Sequence, residues 1–307
     1  MPREAVIRRT SLRTYLAKVA FFVAAFCLSI KAYAVVPLVE PHLGEPTHIA
    51  PLYFGPNAFP IPDMLDGRTQ SCLRLELAAD GYWSYRASNR TADVFARVLV
   101  PLFTDRVNLA LWMPVMEWYK QENQSGHGAG DVYISTDIAL VKNQIKAPQI
   151  ALRLAMKTAS GGEFSKARHY DCPGYFFDLS LGKSIYVGRD KQQSILIPEE
   201  KDVELRISGS AGFLCWQTDN GRQNDAVMYG VQFLVRSRYI SLRETFSGYA
   251  GWERDGDCPM SIKSQLSGYI RGFEPYVQYQ YGIKDYPFHQ LRVGLVYNIS
   301  ILKKNKP

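Results

Sequence analysis

Apolar and polar residues alternate with a period of two along most of the chain beyond residue 70. Residues 73–77 read Leu-Arg-Leu-Glu-Leu, and residues 150–157 read Ile-Ala-Leu-Arg-Leu-Ala-Met-Lys. A period of two is that of a β-strand, whose successive side chains point to opposite faces. Long strands with aliphatic residues on one face and Arg, Lys, Asp and Glu on the other are typical of a membrane barrel with lipid outside and water inside.

The pattern gives twelve strand candidates, an even number, as in bacterial single-chain barrels. Each meets or exceeds the roughly 9–11 residues that a tilted strand needs to cross a bilayer. The sequence therefore predicts an all-β fold, a 12-stranded antiparallel transmembrane β-barrel at residues 70–302. The candidates are 70–84, 90–102, 106–119, 130–141, 148–158, 174–187, 202–217, 224–236, 238–252, 260–271, 273–282 and 288–300.

The lengths of the connections predict how the barrel is oriented. Tight connections follow the second, eighth and tenth candidates, and long Gly-rich ones follow the third and fifth. Short turns face the periplasm in barrels of this kind, and long loops face the outside. An N-terminus in the periplasm satisfies all of these connections. The connection at 188–201 is the exception, because it is long and falls on the periplasmic side.

The period of two also predicts which side chains point outward from the barrel, with two exceptions. Aliphatic runs fall on the outward face, and aromatic residues near strand ends, Trp216 and Tyr249 among them, are expected in the interfacial girdles. Lys183 and Glu244 also fall on the outward face. Because a charge is costly in lipid, we expect a bulge or a register shift at each of these two positions.

The two ends of the chain differ from the barrel in composition. Residues 1–34 have basic residues, an apolar stretch from Val19 to Ile30 and an Ala-Tyr-Ala cleavage site, which predicts a secretory signal peptide. Residues 35–69 hold seven prolines and are predicted to form an irregular extension, which either tucks into the barrel as a plug or lies against its rim. The residues expected in such a plug are Phe54, Asn57 and Phe59, and residues 303–307 form a basic C-terminal tail.

The net charge of +7 belongs to the ends of the chain. The predicted leader holds six Lys or Arg and one Glu, so residues 35–307 carry +2. Three lysines in the C-terminal tail supply more than this excess, and the rest of the chain is at −1. The basic composition therefore reports targeting and gives no support for a nucleic-acid partner.

Four cysteines remain after the leader: Cys72, Cys172, Cys215 and Cys258. Export makes disulfides permissible. Cys172 and Cys258 both lie in Asp-Cys-Pro sequences that the predicted topology places at the same end of the barrel. A Cys172–Cys258 bridge is one alternative, and free or partly buried thiols are the other. The spacing of the cysteines gives no zinc signature, and we expect neither a metal nor a cofactor.

Charged residues on the inward face are the candidate functional set. Both signs occur among them, so the sequence indicates no simple anion or cation filter. They either cross-link a narrow lumen or form a polar constriction that orients a solute. The expected pairs are Asp137 with Arg153, Asp178 with Arg153 or Lys157, and Glu76 with Arg292. The lumen-lining candidates are Arg74, Glu76, Arg97, Asp137, Arg153, Lys157, Asp178, Glu204, Arg206, Arg243, Lys263 and Arg292, and the inward glycines expected to create space are Gly182, Gly212, Gly230 and Gly294.

Two short sequences in the middle of the chain resemble a known family. Residues 128–131 read Gly-Ala-Gly-Asp, and residues 152–161 read Leu-Arg-Leu-Ala-Met-Lys-Thr-Ala-Ser-Gly. Residues 126–187 thereby resemble the outer-membrane channel family of the MetA pathway of phenol degradation, although Ala159 stands where that family usually has Pro. The resemblance implies a barrel for passive uptake of small, often apolar or aromatic molecules, and it carries no catalytic residues.

We therefore expect a passive outer-membrane channel for a small solute, in contact with outer-membrane lipid and lipopolysaccharide. The solute and the oligomeric state stay open. A barrel lipid hydrolase would need a Ser/His pair with an orienting Asn or Asp, and Ser165 and His169 share only a loop. The sequence has no compact His-x-Ser-Asn-Gly signature, so we expect no enzyme. A non-conducting structural or adhesion barrel is the remaining alternative.

Overall fold

Antiparallel β-strands make up the structure, which is a computed structural model. It describes residues 56–84, 89–102, 105–121, 124–142, 147–161, 172–187, 203–217, 225–252, 256–285 and 287–300. The predicted leader, Phe54 and the C-terminal tail lie outside these residues. The described strands are β1 Leu73–Ser84, β2 Asn89–Pro101, β3 Val107–Gln121, β4 Gln124–Gly128, β5 Tyr133–Val141, β6 Gln149–Lys157, β7 Gly174–Val187, β8 Val203–Trp216, β9 Asp225–Arg236, β10 Ile240–Gly251, β11 Met260–Gly268, β12 Phe273–Lys284 and β13 Phe288–Ile299.

The strands close into a 12-stranded barrel, as the sequence predicted. Consecutive strands from β5 to β13 pair side by side, β13 pairs with β1, and β1, β2, β3 and β5 complete the ring. The short strand β4 extends the hairpin with β3 and pairs with no other strand among the described residues. It lies in the long Gly-rich connection after the third candidate, where the sequence pattern predicted a loop. Within these residues no helix is long and apolar enough to cross a membrane.

The barrel has two ends, which we name by their connections. The turn end carries the β2–β3, β9–β10 and β11–β12 connections, and the loop end is the opposite one. Leu77 on β1 and Leu179 on β7 are 60% and 45% exposed on the outer face, whereas Asp178 and Arg153 are buried inside. Aliphatic residues therefore cover the outside and charged residues the inside, as expected for a barrel in lipid.

Glu244 and Lys183 lie on the outer face, and no bulge accounts for either. Glu244 pairs with Phe233 on β9 and Ser264 on β11, in ladders that run without a register shift. The Ser264 hydroxyl donates to Glu244 Oε2 at 2.5 Å. The ladder of β7 with β8 is also regular at Lys183, whose ammonium donates to the Ala147 carbonyl at 3.4 Å near the turn end. The expected bulges were wrong, and both charges occupy outward positions.

Trp216 and Tyr249 lie inside the barrel and not in the aromatic girdle expected for them. Their exposed fractions are 1% and 0%. Tyr249 follows Arg243, Thr245 and Ser247 on one face of β10, and this face points inward. By contrast Trp83, Trp118 and Trp252, near the loop end, are exposed on the outer surface, as an interfacial belt requires.

Residues 56–70, here called the lumen segment, run through the barrel interior from one end to the other. At the turn end the Thr69 hydroxyl donates to the carbonyl of Asp105 at 2.6 Å. At the loop end the Tyr249 hydroxyl donates to the carbonyl of Phe59 at 3.2 Å. Because Pro60 and Pro62 lack a backbone N–H, the segment cannot add a strand to the sheet and is held mainly by side chains of the barrel wall.

Candidate functional site: the barrel lumen

An ion-pair cluster holds the middle of the lumen segment. Asp63 accepts from Arg97 Nη2 on β2 at 2.8 Å and from Lys263 Nζ on β11 at 2.5 Å. Arg97 also lies 3.7 Å from Glu76 on β1, measured between Nη1 and Oε2, and its guanidinium stands over the ring of Trp112 at 5.4 Å. Asp63 thus connects β2 and β11, which lie four positions apart around the barrel.

A second cluster holds the segment near the turn end. Arg68 pairs with Asp66 at 2.5 Å and with Glu204 on β8 at 2.8 Å. Arg206 donates from Nη2 to the carbonyl of Asp66 at 2.5 Å. A Cβ at Gly182 on β7 would overlap this carbonyl oxygen. The absence of a side chain at Gly182 therefore lets the lumen segment approach the wall. The sequence pattern had predicted that this glycine would leave open space in the lumen.

The space beside each of the other inward glycines is also filled. A Cβ at Gly230 would lie 2.9 Å from Met64 Sδ, so the lumen segment fills this space too. A Cβ at Gly294 would meet the ring of Tyr276 at 2.4–2.5 Å, and one at Gly212 would overlap the backbone of β7. Two of the four glycines thus admit the lumen segment and one admits an aromatic ring.

Aromatic side chains fill the loop end of the lumen. Phe59 is fully buried there among Tyr249, Trp216, Tyr133 and other inward residues. Trp216 meets the ring of Tyr133 edge-on, with centroids 6.5 Å apart. Asn57 of the lumen segment donates from Nδ2 to Asp93 at 3.0 Å and also to Glu117. Of the three residues expected in a plug, Asn57 and Phe59 lie in the lumen, and Phe54 is outside the described residues.

Arg153 and Asp178 form a buried pair in the wall. Arg153 Nε lies 2.7 Å from Asp178 Oδ1, and the two residues are direct neighbours across β6 and β7. Asp137 is the neighbour of Arg153 on the other side, in β5, and accepts a hydrogen bond from Ser135 at 3.3 Å. The guanidinium of Arg153 stands 4.9 Å from the ring centre of Phe176.

The residues of the family resemblance form one hydrogen-bonded group at the loop end. Lys157 pairs with Asp131 at 2.6 Å, with both side chains 1% exposed, so it does not pair with Asp178. Asp131 Oδ1 accepts from the backbone N–H groups of Ser160 and Gly161 at 2.9 and 2.8 Å. Gly130 donates to the carbonyl of Pro114 at 2.8 Å. These residues thus fix the wall where β4 gives way to β5.

The seam between the first and last strands differs from the expected pairing. Arg292 on β13 lies opposite Asp80 and binds it at 2.7 Å, not Glu76. Glu76 lies opposite Val296 and accepts a hydrogen bond from the Tyr276 hydroxyl at 2.5 Å. The strand period places these side chains on the inner face, but it does not determine which residues of two strands face each other.

The remaining candidates are distributed as follows. Arg74 pairs with Glu274 at 3.1 Å near the turn end. Arg243 faces the lumen from β10, and its Nε has no hydrogen-bond partner in the described part of the chain. Cys172 and Cys258 form no disulfide, so of the two alternatives the structure has the separate thiols. Among the described residues no group of His, Cys, Asp and Glu is arranged to hold a metal ion.

Two cavities remain beside the lumen segment, and both touch its residues 63–65. The first, of about 190 Å³, extends toward the loop end and is walled by Trp112, Tyr133, Phe176 and Trp216. The second, of about 180 Å³, extends toward the turn end between the segment and Arg74, Gln232 and Arg243. The lumen segment therefore interrupts the path through the barrel but does not fill the lumen completely.

Sequence reasoning missed the aromatic part of this site, although its signal was present. Tyr133 is in phase with Asp137 on β5, Phe176 with Asp178 on β7, and Trp216 with Gly212 on β8. Extending the period of two from these inward residues to the loop end of each strand would have placed all three inside. The expectation of a rim girdle was applied to Trp216 instead.

Comparison with solved structures supports the fold. An outer membrane channel from Pseudomonas putida F1 matches with a TM-score of 0.52 and 11% identity, over 78% of this chain and 100% of that one. The KdgM porin matches at 0.42 and 11%, over 72% and 98%. The transport unit of the autotransporter AIDA-I from Escherichia coli matches at 0.43 and 11%, over 78% and 93%.

No family model and no curated protein matches the chain. The resemblance of residues 126–187 to the phenol-degradation channel family therefore stays a prediction. A sequence identity of 11% supports similarity in architecture alone. The chain has the fold of an outer-membrane β-barrel.

Proposed function

We propose that this chain is an exported outer-membrane channel that passes small solutes through the barrel interior, and that the lumen segment closes the path. Residues 1–34 act as the export leader, and the barrel sits among lipid and lipopolysaccharide with its turn end in the periplasm. The charged inner rows, among them Arg97, Arg153, Lys263 and Arg292, line the path. Opening requires the lumen segment to move aside.

The observation that carries this proposal is the way in which the lumen segment is held. A segment that served only to fill the barrel would pack as densely as a protein core, without voids. Residues 63–68 are instead held by ion pairs and hydrogen bonds, with a cavity on each side. Water and ions that enter an open lumen can replace such contacts, because the side chains of the two Asp63 ion pairs are 13–39% exposed.

A disulfide lock between the lumen segment and the wall tests the proposal. Met64 Cγ lies 3.4 Å from the Cβ position of Gly230, a separation that suits a disulfide in a Met64→Cys/Gly230→Cys variant. In planar bilayers we expect openings in the wild type, suppression of these openings in the oxidised double variant, and recovery on reduction with dithiothreitol. The Met64→Cys and Gly230→Cys single variants are the controls and should show no redox dependence. Equal conductance of the oxidised and reduced double variant would refute a moving segment.

A non-conducting structural barrel is the second candidate, and the fully buried Phe59 at the loop end favours it. An aromatic anchor of this kind stabilises the closed state. The variant Asp63→Asn/Asp66→Asn separates the two functions, because it removes the ion pairs of the segment and keeps its length. A channel should conduct more readily with these changes. Absence of conductance in this variant and in the wild type would establish the structural role.

A further inference from the structure

Cationic residues outnumber acidic ones in the lining of the cavity on the loop-end side. Among its described lining residues, four are cationic and two are acidic. Of the acids, Asp63 binds Arg97 and Lys263, and Asp137 lies beside Arg153 in the sheet and accepts a hydrogen bond from Ser135. The cations are Arg97, Arg153, Lys263 and Arg292. Arg153 and Arg292 are themselves held by Asp178 and Asp80, so a preference for an anion rests on the donors that these ion pairs leave without an acceptor.

Two buried donors that line the same cavity have no acceptor. Arg153 is 5% exposed, and its Nη2 has no hydrogen-bond partner in the described part of the chain. Trp216 is 1% exposed, and its indole Nε1 is likewise without one. A buried donor without an acceptor costs about 1–3 kcal/mol, so such groups call for a bound water or a ligand. Arg97 Nε is a third unpartnered donor on this lining.

The rest of this wall is aromatic and suits a flat apolar ring. Trp112 stacks on Tyr133 with centroids 5.2 Å apart and planes 12° from parallel. Phe176 meets Trp216 edge-on at 6.2 Å. The volume is about 190 Å³, and a cavity of about 150 Å³ is enough to hold benzene. A single six-membered ring therefore fits between these side chains.

We infer that this cavity is a binding site for a small aromatic carboxylate, and that such anions are the solute class of the channel. The carboxylate accepts from Arg153 Nη2 and Trp216 Nε1, and the ring packs between Trp112, Tyr133 and Phe176. Arg153 is already fixed by its Nε–Asp178 contact of 2.7 Å, so its free edge is preorganised. The inference deepens the proposed function and rests on it.

The second cavity continues this route toward the turn end. Six of its described lining residues are cationic and three are acidic, and Arg243 supplies a further unpartnered Nε. The unpartnered buried atoms on the two cavity linings are all nitrogen donors. An anion that leaves the aromatic site therefore meets unpartnered donors in the lining of both cavities.

Calorimetric titration of the purified full-length protein tests the site without requiring conduction. The probes are benzoate, acetate, benzyl alcohol and benzylammonium, which vary the ring and the charge separately. We expect benzoate to bind at least about tenfold more tightly than each of the others, since one charge-assisted contact and the ring burial are each worth about that factor. Trp216→Phe, which keeps a ring and removes the indole donor, should weaken benzoate about five- to tenfold.

Two further variants make the result specific. Arg153→Lys keeps the charge and the pair with Asp178 but loses the free guanidinium edge, and it should also weaken benzoate. Lys120→Gln removes a positive charge from the exposed outer side of β3 and should leave binding unchanged. Equal binding of benzoate and benzyl alcohol, or an unchanged Trp216→Phe variant, would overturn the inference.

Bilayer recordings separate failure of the site from failure of the proposed function. A barrel that conducts but does not favour benzoate over benzylammonium in its reversal potential overturns the solute class and leaves the channel. A barrel that binds benzoate and never conducts overturns the channel. Only tight benzoate binding together with benzoate-selective conductance supports both.

Discussion

A carboxylate on the outer face of a barrel strand is costly, because hydrocarbon cannot hydrate it. Glu244 occupies this kind of position in the middle of β10, opposite Phe233, with one hydrogen bond from Ser264. Glu244→Gln removes the charge and retains an oxygen that can accept from Ser264. We expect the variant to be more stable than the wild type by about 1 kcal/mol, measured by urea unfolding in phospholipid vesicles. Glu204→Gln, inside the lumen and paired with Arg68, should instead lose stability. A loss in the Glu244 variant would contradict an outer face in contact with lipid.

At the scale of single residues, the sequence predicted well which face of the barrel a side chain occupies and poorly which residue it pairs with. The period of two placed Arg153, Asp178 and Arg292 on the inner face because alternate side chains share a side. It could not tell that Arg292 meets Asp80, four residues along β1 from the expected Glu76. The offset between strands is set by turn geometry and by the stagger of the closed barrel. Neither is visible in the pattern of a single strand.

The lumen segment shows the same division at the scale of an element. Its prolines predict irregular structure, since each removes a backbone donor. Its path through the barrel depends on Asp63 and Asp66 meeting cations from β2, β8 and β11. These cations come together only when the barrel is closed. The sequence therefore predicted an extension and left the plug and the rim as alternatives.

Gly182 offers a direct test of how closely this element approaches the wall. A Cβ at Gly182 would overlap the carbonyl oxygen of Asp66, whereas a Cβ at Gly209, on the outer face of β8, has 3.9 Å to its nearest neighbour. Gly182→Ala should therefore displace the lumen segment and raise the open probability severalfold in bilayer recordings. Gly209→Ala, the matched control, should behave as the wild type. If Gly182→Ala left the open probability unchanged, the segment would not be what limits the path.

At the scale of the whole molecule, the distribution of apolar and charged side chains is the reverse of that in a soluble protein. The outer face carries leucine, valine, isoleucine and aromatic residues, and the ion pairs stand inside. The sequence predicted this inversion because its strands are long and their polar faces are rich in charges of both signs. Strand number and closure followed from the same pattern. The aromatic cluster and the two cavities required the positions of every strand at once.

Substitution of arginine along the outer face of β7 measures what surrounds the barrel. Leu179, 45% exposed, lies in the middle of this strand, and Ile185, 65% exposed, lies on the same face near its turn end beside Lys183. In a lipid-embedded barrel Leu179→Arg should cost about 2–4 kcal/mol and Ile185→Arg about 0–1, since the penalty falls from the bilayer midplane to the interface. Reversible guanidinium unfolding in phospholipid vesicles gives both values. A protein surrounded by water would tolerate the two substitutions equally, within about 0.5 kcal/mol, because each adds a hydrated charge to an exposed surface. The difference between the two variants, rather than either value alone, therefore reports whether hydrocarbon encloses the barrel.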